Sequence, residues 1–393
     1  MKNSKRLLRC LGIYLLVFGV MLFMILSGVT FVNAWSPPKL FNVSCYDVDS
    51  TAYIQGSAIA DAIYKKYNVK MRLVPISSDV ARMQMLRSGR VDFQLTGGSS
   101  WAATQGLYEF SSIAWGPQQL RYVWRYATQV GAVATAASGI KTPYDVKGKR
   151  VCSYPGTPGN QISVTAALAF GNVTWNDVKR VDVSDYTAGI DALLSGKADV
   201  ASSSTTSGQI QNLKTSPMGA HFLSCPPDDK AGWVRFQKVC PYGAPIQVAV
   251  GVGAEESPRP YVMTYGYPDL NCYPNTDPDL VYWLAKTIHE LYPVYSRNQP
   301  LMQFWDIKWQ YPPLMEPIHP SVMRYLKEIG RWTPEFESWN KKVMAEEEVL
   351  LKAWERVMKV AKEREISGTD FPKLWIQERG KISGLAQPVY YMR

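Results

Sequence analysis

One short pattern occurs twice in the chain and limits what the chain can fold into. Residues 86–93 read LRSGRVDF and residues 193–200 read LLSGKADV, with a Ser-Gly pair, a basic residue and an aspartate in the same order. Glycine at a helix end adopts the left-handed conformation that other residues resist, and a strand-like alternation follows it. Each copy runs into a polar loop, residues 97–100 and 202–207. The repeat predicts two α/β lobes with facing loops, although a chance repeat of a common α/β unit stays open.

Strand and helix patterns alternate on both sides of these repeats. The periodicity predicts strands at 40–46, 70–76, 91–95, 120–136 (a pair), 150–153, 178–183 and 200–202, and helices at 54–67, 80–88, 161–170, 188–194, 278–291, 320–329 and 335–365. The segment 215–243 is Pro-rich and predicts irregular structure, 246–252 is expected to lead back to the first lobe, and a loose tail is expected after the last helix. The early strand–helix–strand order is typical of a parallel sheet, whose ligands bind at the carboxyl ends of the strands.

The first 34 residues have the pattern of an export signal. A basic segment at 2–9 precedes an apolar run at 11–32, and Val32-Asn33-Ala34 supplies the small residues of a cleavage site. The apolar run is nearly long enough to span a bilayer, so an uncleaved membrane anchor remains an alternative. The sequence predicts a periplasmic or other extracytoplasmic location.

Composition and the spacing of reactive residues exclude several classes of function. The net charge is +10, of which four positive charges lie in the basic segment 2–9; the remaining 10 − 4 = +6 is scattered rather than concentrated in a basic patch, which argues against nucleic-acid binding. His221, His289 and His319 lie far apart, and the sequence has no P-loop, CxxC pair or nucleophile elbow. We therefore expect no enzyme, no metal site and no cofactor. Cys225 and Cys240 flank a Pro-rich loop within 215–243 and are the best candidates for a disulfide in an oxidising compartment.

Four segments resemble motifs of the TAXI family, the solute receptors of TRAP transporters. Residues 51–56 (TAYIQG) resemble its Thr-Tyr-Tyr-Pro-Leu-Gly loop, and Gly89 with Asp92 matches its Gly-x-x-Asp. Residues 145–151 (DVKGKRV) and 318–330 resemble its Asp-Leu-x-Gly-Lys-x-Val and its His-Pro ending, so the resemblance covers about 40–330. The chain departs from the family at Asp79, Arg82 and 158–160, and the segment after Thr333 is additional.

The resemblance implies a two-lobed type II periplasmic-binding-protein fold of the α/β class. Lobe I would comprise 35–135 and 245–332 and lobe II 136–244, with a signal or anchor at 1–34 and a helical C-terminal extension at 333–393. Such a receptor would bind a small organic anion, a carboxylate or amino acid, between its lobes. It would deliver this solute to a TRAP-type membrane permease by hinge closure near Val130 and Ile246. A membrane-anchored sensor or scaffold, and an enzyme on the same fold, are the alternatives.

The predicted ligand-binding residues lie on the loops that end the strands. The guanidinium group of Arg82 suits a carboxylate, although pairing with Asp79 on a solvated helix surface is the alternative. Tyr53, in the TAXI-like loop, is expected to contact ligand or to form a wall or hinge. The other candidates are hydroxyl or amide side chains, which are also common in turns: Ser99, Thr157, Asn160, Ser203, Ser204 and Thr205.

Overall fold

The computed structural model describes residues 35–297 and 300–385, and the predicted signal at 1–34 lies outside them. Two β-sheets organise the described chain. The strands are β1 Leu40–Cys45, β2 Lys70–Pro75, β3 Phe93–Thr96, β4 Arg121–Ala127, β5 Val130–Ala134, β6 Arg150–Ser153, β7 Lys179–Asp182, β8 Val200–Ser204, β9 His221–Phe222, β10 Ala244–Gln247, β11 Tyr261–Thr264 and β12 Gly266–Cys272.

The helices pack on both sheets and beyond them. They are α1 Thr51–Tyr67, α2 Asp79–Arg87, α3 Gly98–Thr104, α4 Pro158–Phe170, α5 Tyr186–Leu194, α6 Gly208–Thr215, α7 Lys230–Val239, α8 Pro278–Glu290, α9 Tyr292–Tyr295, α10 Pro320–Glu328, α11 Pro334–Glu363 and α12 Asp370–Gly380. Among the described residues, no helix is both long enough and apolar enough to cross a membrane.

Sheet A forms lobe I with the strand order β2-β1-β3-β12-β4. The strand β1 pairs in parallel with β2 and β3, as the alternating helices predicted, whereas β12 returns antiparallel between β3 and β4. Sheet B forms lobe II with the order β10-β11-β5-β8-β6-β7, and β9 pairs with β5. The α/β, two-lobed fold class expected from the sequence is confirmed.

The strand pairing differs from the predicted lobe boundaries. Both β5 and the β10–β11 hairpin belong to sheet B, whereas the sequence placed them in the 35–135 and 245–332 segments of lobe I. The chain therefore crosses between the lobes at residues 128–129 and at Tyr265. Apolar strand sequences do not specify their sheet, because the pairing depends on contacts such as Met263 with Val130, which lie far apart in sequence.

Two helices occupy segments that the sequence analysis described as irregular or loose. Helix α7 lies inside the predicted irregular segment 215–243, and α12 lies in the predicted loose tail. Helix α7 buries Gly232, Trp233, Phe236 and Val239, which recur at helical spacing on one face. The flanking prolines concealed this pattern. The segment 246–252 also differs from expectation, since only its first residues are a strand and they pair with β11.

The two copies of the repeated pattern have the same local structure. Gly89 and Gly196 each have φ of +68° at the end of a helix. The Asp92 carboxylate accepts a 2.8 Å hydrogen bond from the Asn42 N–H, and the Asp199 carboxylate accepts one of 2.8 Å from the Arg150 N–H. Each aspartate thus ties the turn to another strand of its sheet, β1 in sheet A and β6 in sheet B. The predicted duplication is confirmed.

Apolar clusters fill each lobe and the space between them. One cluster of buried side chains joins α2 and α3 of lobe I to α4 and α7 of lobe II, with Met83 and Leu86 on one side and Ile162 and Phe236 on the other. The C-terminal helices pack on lobe I as well. The Trp375 indole N–H donates to the Gly106 carbonyl at 2.6 Å. The extension is therefore a docked part of the described fold.

The predicted disulfide is wrong. All five cysteines in the described residues are buried free thiols, including Cys225 and Cys240. The Cys240 sulfur lies 3.9 Å from the Met263 sulfur, and the Cys225 sulfur lies 3.9 Å from the Leu223 carbonyl oxygen. Burial raises the pKa of Cys240 to about 12. The two thiols are therefore packing groups of the apolar cluster between the lobes.

Candidate functional site

A small cavity lies between the lobes where strands of both sheets end. Its volume is about 30 Å³, room for about two water molecules. Its walls come from both lobes: Tyr46, Val130, Gly159, Asn160, Tyr186, Ser202, Ser203, Ser204, Ser207, Tyr265 and Tyr267. Sites in α/β folds typically occupy this edge, because strand ends and helix starts meet there. A solute larger than water requires the lobes to move apart.

Three tyrosines form the lobe I wall. Tyr46 directly follows β1, and Tyr265 and Tyr267 lie where the chain crosses from β11 to β12. The Tyr46 and Tyr267 rings meet edge to face with centroids 5.4 Å apart. A Cβ at Gly97 would lie 2.7 Å from the Tyr267 ring, so this tight approach requires glycine. Burial raises the pKa of each phenol, which keeps its hydroxyl proton available for donation.

The lobe II wall consists of hydroxyl and amide groups. Asn160 lies in the first turn of α4, and Tyr186 opens α5. The Tyr186 hydroxyl lies 3.0 Å from the Ser203 hydroxyl oxygen and also contacts Ser207, which caps α6. These groups can donate or accept hydrogen bonds, so this wall can recognise polar solutes of several kinds.

Arg82 is buried behind the tyrosine wall rather than exposed in the cavity. Its guanidinium pairs with the Asp79 carboxylate and donates to the carbonyls of Ile76 and Ser77, the latter at 3.0 Å. The Arg82 guanidinium carbon lies 3.4 Å from the centre of the Tyr46 ring. Burial acts to lower the pKa of Arg82, but Tyr46 and Asp79 outweigh it and raise the pKa above its usual value. The Asp79–Arg82 pair is present, but it is fully buried and not solvated.

Several hydrogen bonds join the lobes around the cavity. The Asp79 carboxylate accepts from the Gly159 N–H at 3.2 Å, at the start of α4. The Thr51 hydroxyl lies 3.2 Å from that of Ser204. On the same side, the Thr187 hydroxyl donates to the Asp47 carboxylate at 3.0 Å. The two lobes are therefore in direct contact around the cavity.

The predicted binding residues fall into three groups. Asn160, Ser203 and Ser204 line the cavity. Ser99, Thr157 and Thr205 are buried without forming its wall: the Ser99 hydroxyl lies 2.7 Å from that of Thr96, and the Thr205 hydroxyl donates to the Val250 carbonyl at 2.8 Å. The Thr157 hydroxyl has no hydrogen-bond partner in the described part of the chain.

Tyr53 belongs to neither of the first two groups, since it packs against the lobe I core.

Sequence reasoning missed the four tyrosines of the cavity. Tyr46 and Tyr186 had a usable signal, because each follows a strand at the start of a polar loop or helix. Tyr265 and Tyr267 had none, because their place depends on the crossing between the sheets.

A sequence model of the NMT1-like family matches residues 48–330, nearly three quarters of the chain. The chain belongs to the NMT1-like family. The family match includes every residue of the cavity wall except Tyr46, and it ends before the C-terminal extension. No curated protein matches the chain.

Solved structures similar to this NMT1-like chain have low sequence identity to it. The alkanesulfonate-binding protein SsuA from Xanthomonas axonopodis pv. citri bound to MOPS has 12% identity, a TM-score of 0.43, and coverage of 85% of this chain and 96% of its own. An ancestral arginine-binding protein bound to arginine has 13% identity, a TM-score of 0.43, and coverage of 69% and 99%. The periplasmic aliphatic sulphonate binding protein SsuA from Escherichia coli has 14% identity, a TM-score of 0.41, and coverage of 91% and 94%.

Proposed function

We propose that this NMT1-like protein is an extracytoplasmic solute-binding receptor that closes on a small organic solute between its lobes. The observation that carries the proposal is the cavity between the lobes. Tyrosines of lobe I face hydroxyl and amide groups of lobe II across it, at the carboxyl ends of strands in both sheets. A solute that contacts both walls stabilises the closed arrangement, because those contacts exist only when the lobes meet.

The solute class that we propose is a small carboxylate or amino acid. Asn160, Ser203 and Ser204 supply hydrogen-bond donors for its polar groups, and the tyrosine rings supply apolar contact. Arg82 lies behind Tyr46, where it pairs with Asp79. Tyr53, Ser99, Thr157 and Thr205 surround or lie outside the cavity, so their proposed roles are to support the site rather than to contact the solute.

The proposed partner is a TRAP-type permease, and the proposed location is periplasmic or otherwise extracytoplasmic. Both proposals depend on the TAXI-like motifs and on the signal-like residues 1–34. The alternatives are a membrane-anchored sensor or scaffold, which would retain that segment, and an enzyme on the same fold. The cavity favours a receptor over an enzyme, since its wall offers hydroxyl, amide and phenol groups without a paired acid and base.

Calorimetric titration of the exported protein with amino acids and small organic acids tests the receptor proposal. We expect one class of solute to bind, and small-angle scattering to show a change in compactness on binding. Asn160→Ala should weaken that binding at least tenfold, because the variant loses a donor and an acceptor at the cavity wall. Asn212→Ala is the matched control, since Asn212 is exposed on α6. Unchanged affinity in Asn160→Ala, or equal losses in both variants, would contradict the proposed site.

A further inference from the structure

The cavity wall contains no side chain that is charged at neutral pH. Its eleven residues, all from the described chain, are tyrosines, serines, glycine, asparagine and valine. The charged groups directly behind this wall are Arg82 and Asp79, and the side chains of both are fully buried. They pair with each other, so their net charge is zero. A solute in the cavity therefore meets hydroxyl and amide dipoles and no uncompensated cation.

The Asp79 carboxylate already binds the two groups in this region that would attract an anion, the Arg82 guanidinium and the Gly159 N–H. One of its oxygens pairs with the Arg82 guanidinium. The other accepts from the N–H of Gly159, 3.2 Å away at the positive end of α4. A Cβ on Gly159 would lie 3.4 Å from that oxygen and 3.3 Å from the Ser99 nitrogen, so glycine permits the close approach. Asp79 thus stands where the carboxylate of a solute would stand.

We infer that Asp79 makes the cleft selective for solutes without net charge, such as amino acid zwitterions or uncharged amides, and against solutes with net negative charge. This inference rests on the proposed receptor function and narrows its solute class. A solute carboxylate in the cavity would lose its water of hydration without meeting an uncompensated cation, because Asp79 already neutralises Arg82. The ammonium group of a zwitterion offsets part of that cost and an uncharged amide does not incur it, whereas the extra carboxylate of a net-negative solute has no such offset.

Pairs of solutes that differ only in charge test the inference. Glutamine and glutamate, and asparagine and aspartate, have nearly the same shape and differ by one negative charge. We expect the wild-type protein to bind the amide of each pair at least tenfold more tightly in calorimetry at pH 7. Asp79→Asn should reduce that ratio at least tenfold, because it leaves the Arg82 charge free to attract the anion. Asp61→Asn removes the same charge at an exposed site of α1 and should leave the ratio unchanged.

Arg82→Gln is a second variant, and it should change the ratio of amide to carboxylate affinity in the opposite direction. It tests the inference even if Asp79→Asn does not fold. It leaves the Asp79 charge uncompensated, so the preference for the amide should rise severalfold. The double variant, Asp79→Asn with Arg82→Gln, restores neutrality and should return the ratio of amide to carboxylate affinity to near the wild-type value. The inference would be overturned if the wild-type protein bound the carboxylates more tightly, or if all folded variants gave the same ratio. Either result would leave the proposed receptor function unaffected. No binding of any member would contradict the proposed function itself.

Discussion

The buried ion pair between Arg121 and Glu347 fixes the C-terminal extension to lobe I, and its removal gives a measurable loss of stability. The two guanidinium nitrogens of Arg121 donate to the two Glu347 oxygens at 2.7 and 2.8 Å. The two side chains are only 7% and 9% exposed. Because both groups are shielded from water, removing one leaves the other buried without its partner.

We expect Glu347→Ala to lower the free energy of unfolding by about 3–5 kcal/mol. Taking about 2.1 cal/mol/K of unfolding entropy per residue over roughly 350 ordered residues, this corresponds to a fall in melting temperature of about 4–7 °C. Differential scanning calorimetry measures it directly. Glu348→Ala is the control, because Glu348 is exposed and pairs with Lys352 one helical turn away. Its melting temperature should match the wild type.

A double variant separates the value of the pair from the cost of an unpaired charge. Arg121→Met combined with Glu347→Leu removes both charges and keeps most of the volume, so it should be close to wild type or more stable. A double variant as unstable as Glu347→Ala would show that packing rather than charge pairing accounts for the loss. A loss in Glu347→Ala no larger than that of Glu348→Ala would refute the reasoning, because it would mean that the extension is not docked through this contact.

Two further predictions concern the repeated turns. Hydrogen bonding to Arg150 lowers the pKa of Asp199, so the contribution of Asp199 to stability is present above about pH 4 and disappears as the pH falls through the lower folded pKa. The difference in melting temperature between wild type and Asp199→Asn should therefore be largest near pH 6 and shrink below pH 4. A difference that stays constant with pH would contradict this. Gly89→Ala should lower the free energy of unfolding in urea by about 1 kcal/mol, because the φ of Gly89 is +68° and no neighbour lies near a Cβ there. Gly380→Ala at the end of α12, also without a close neighbour, should not lower it. Equal effects of the two substitutions would show that φ is not the cause.

The local elements of the fold could be predicted from the sequence. The strand Arg150–Ser153 was predicted at its observed bounds, and the β1, β2 and β3 strands and their helices lie within a few residues of their predicted places. The glycine of each repeat marked the true helix end. These features depend on residues close together in sequence, so periodicity and turn chemistry reveal them.

The membership of strands in sheets and the chemistry of the site could not be predicted in this way. The sequence placed β5 and the β10–β11 hairpin in lobe I, but β5 pairs with β8 and β11, which lie in distant parts of the sequence. It offered Arg82 as a carboxylate ligand, whereas the fold buries the guanidinium against Tyr46 and Asp79. It offered Cys225 and Cys240 as a disulfide, but both are buried free thiols with separate neighbours, Leu223 and Met263.

The sequence by itself determined the α/β class, the duplicated unit and the loops from which a site is built. Only the tertiary structure decided which tyrosines meet across the cleft, where the chain crosses between the lobes and how the extension docks. The physical reason is the range of the interactions involved. Helix periods and glycine turns act over a few residues, whereas burial and charge pairing depend on groups that folding brings together, such as Asp79 with Gly159 and Arg121 with Glu347.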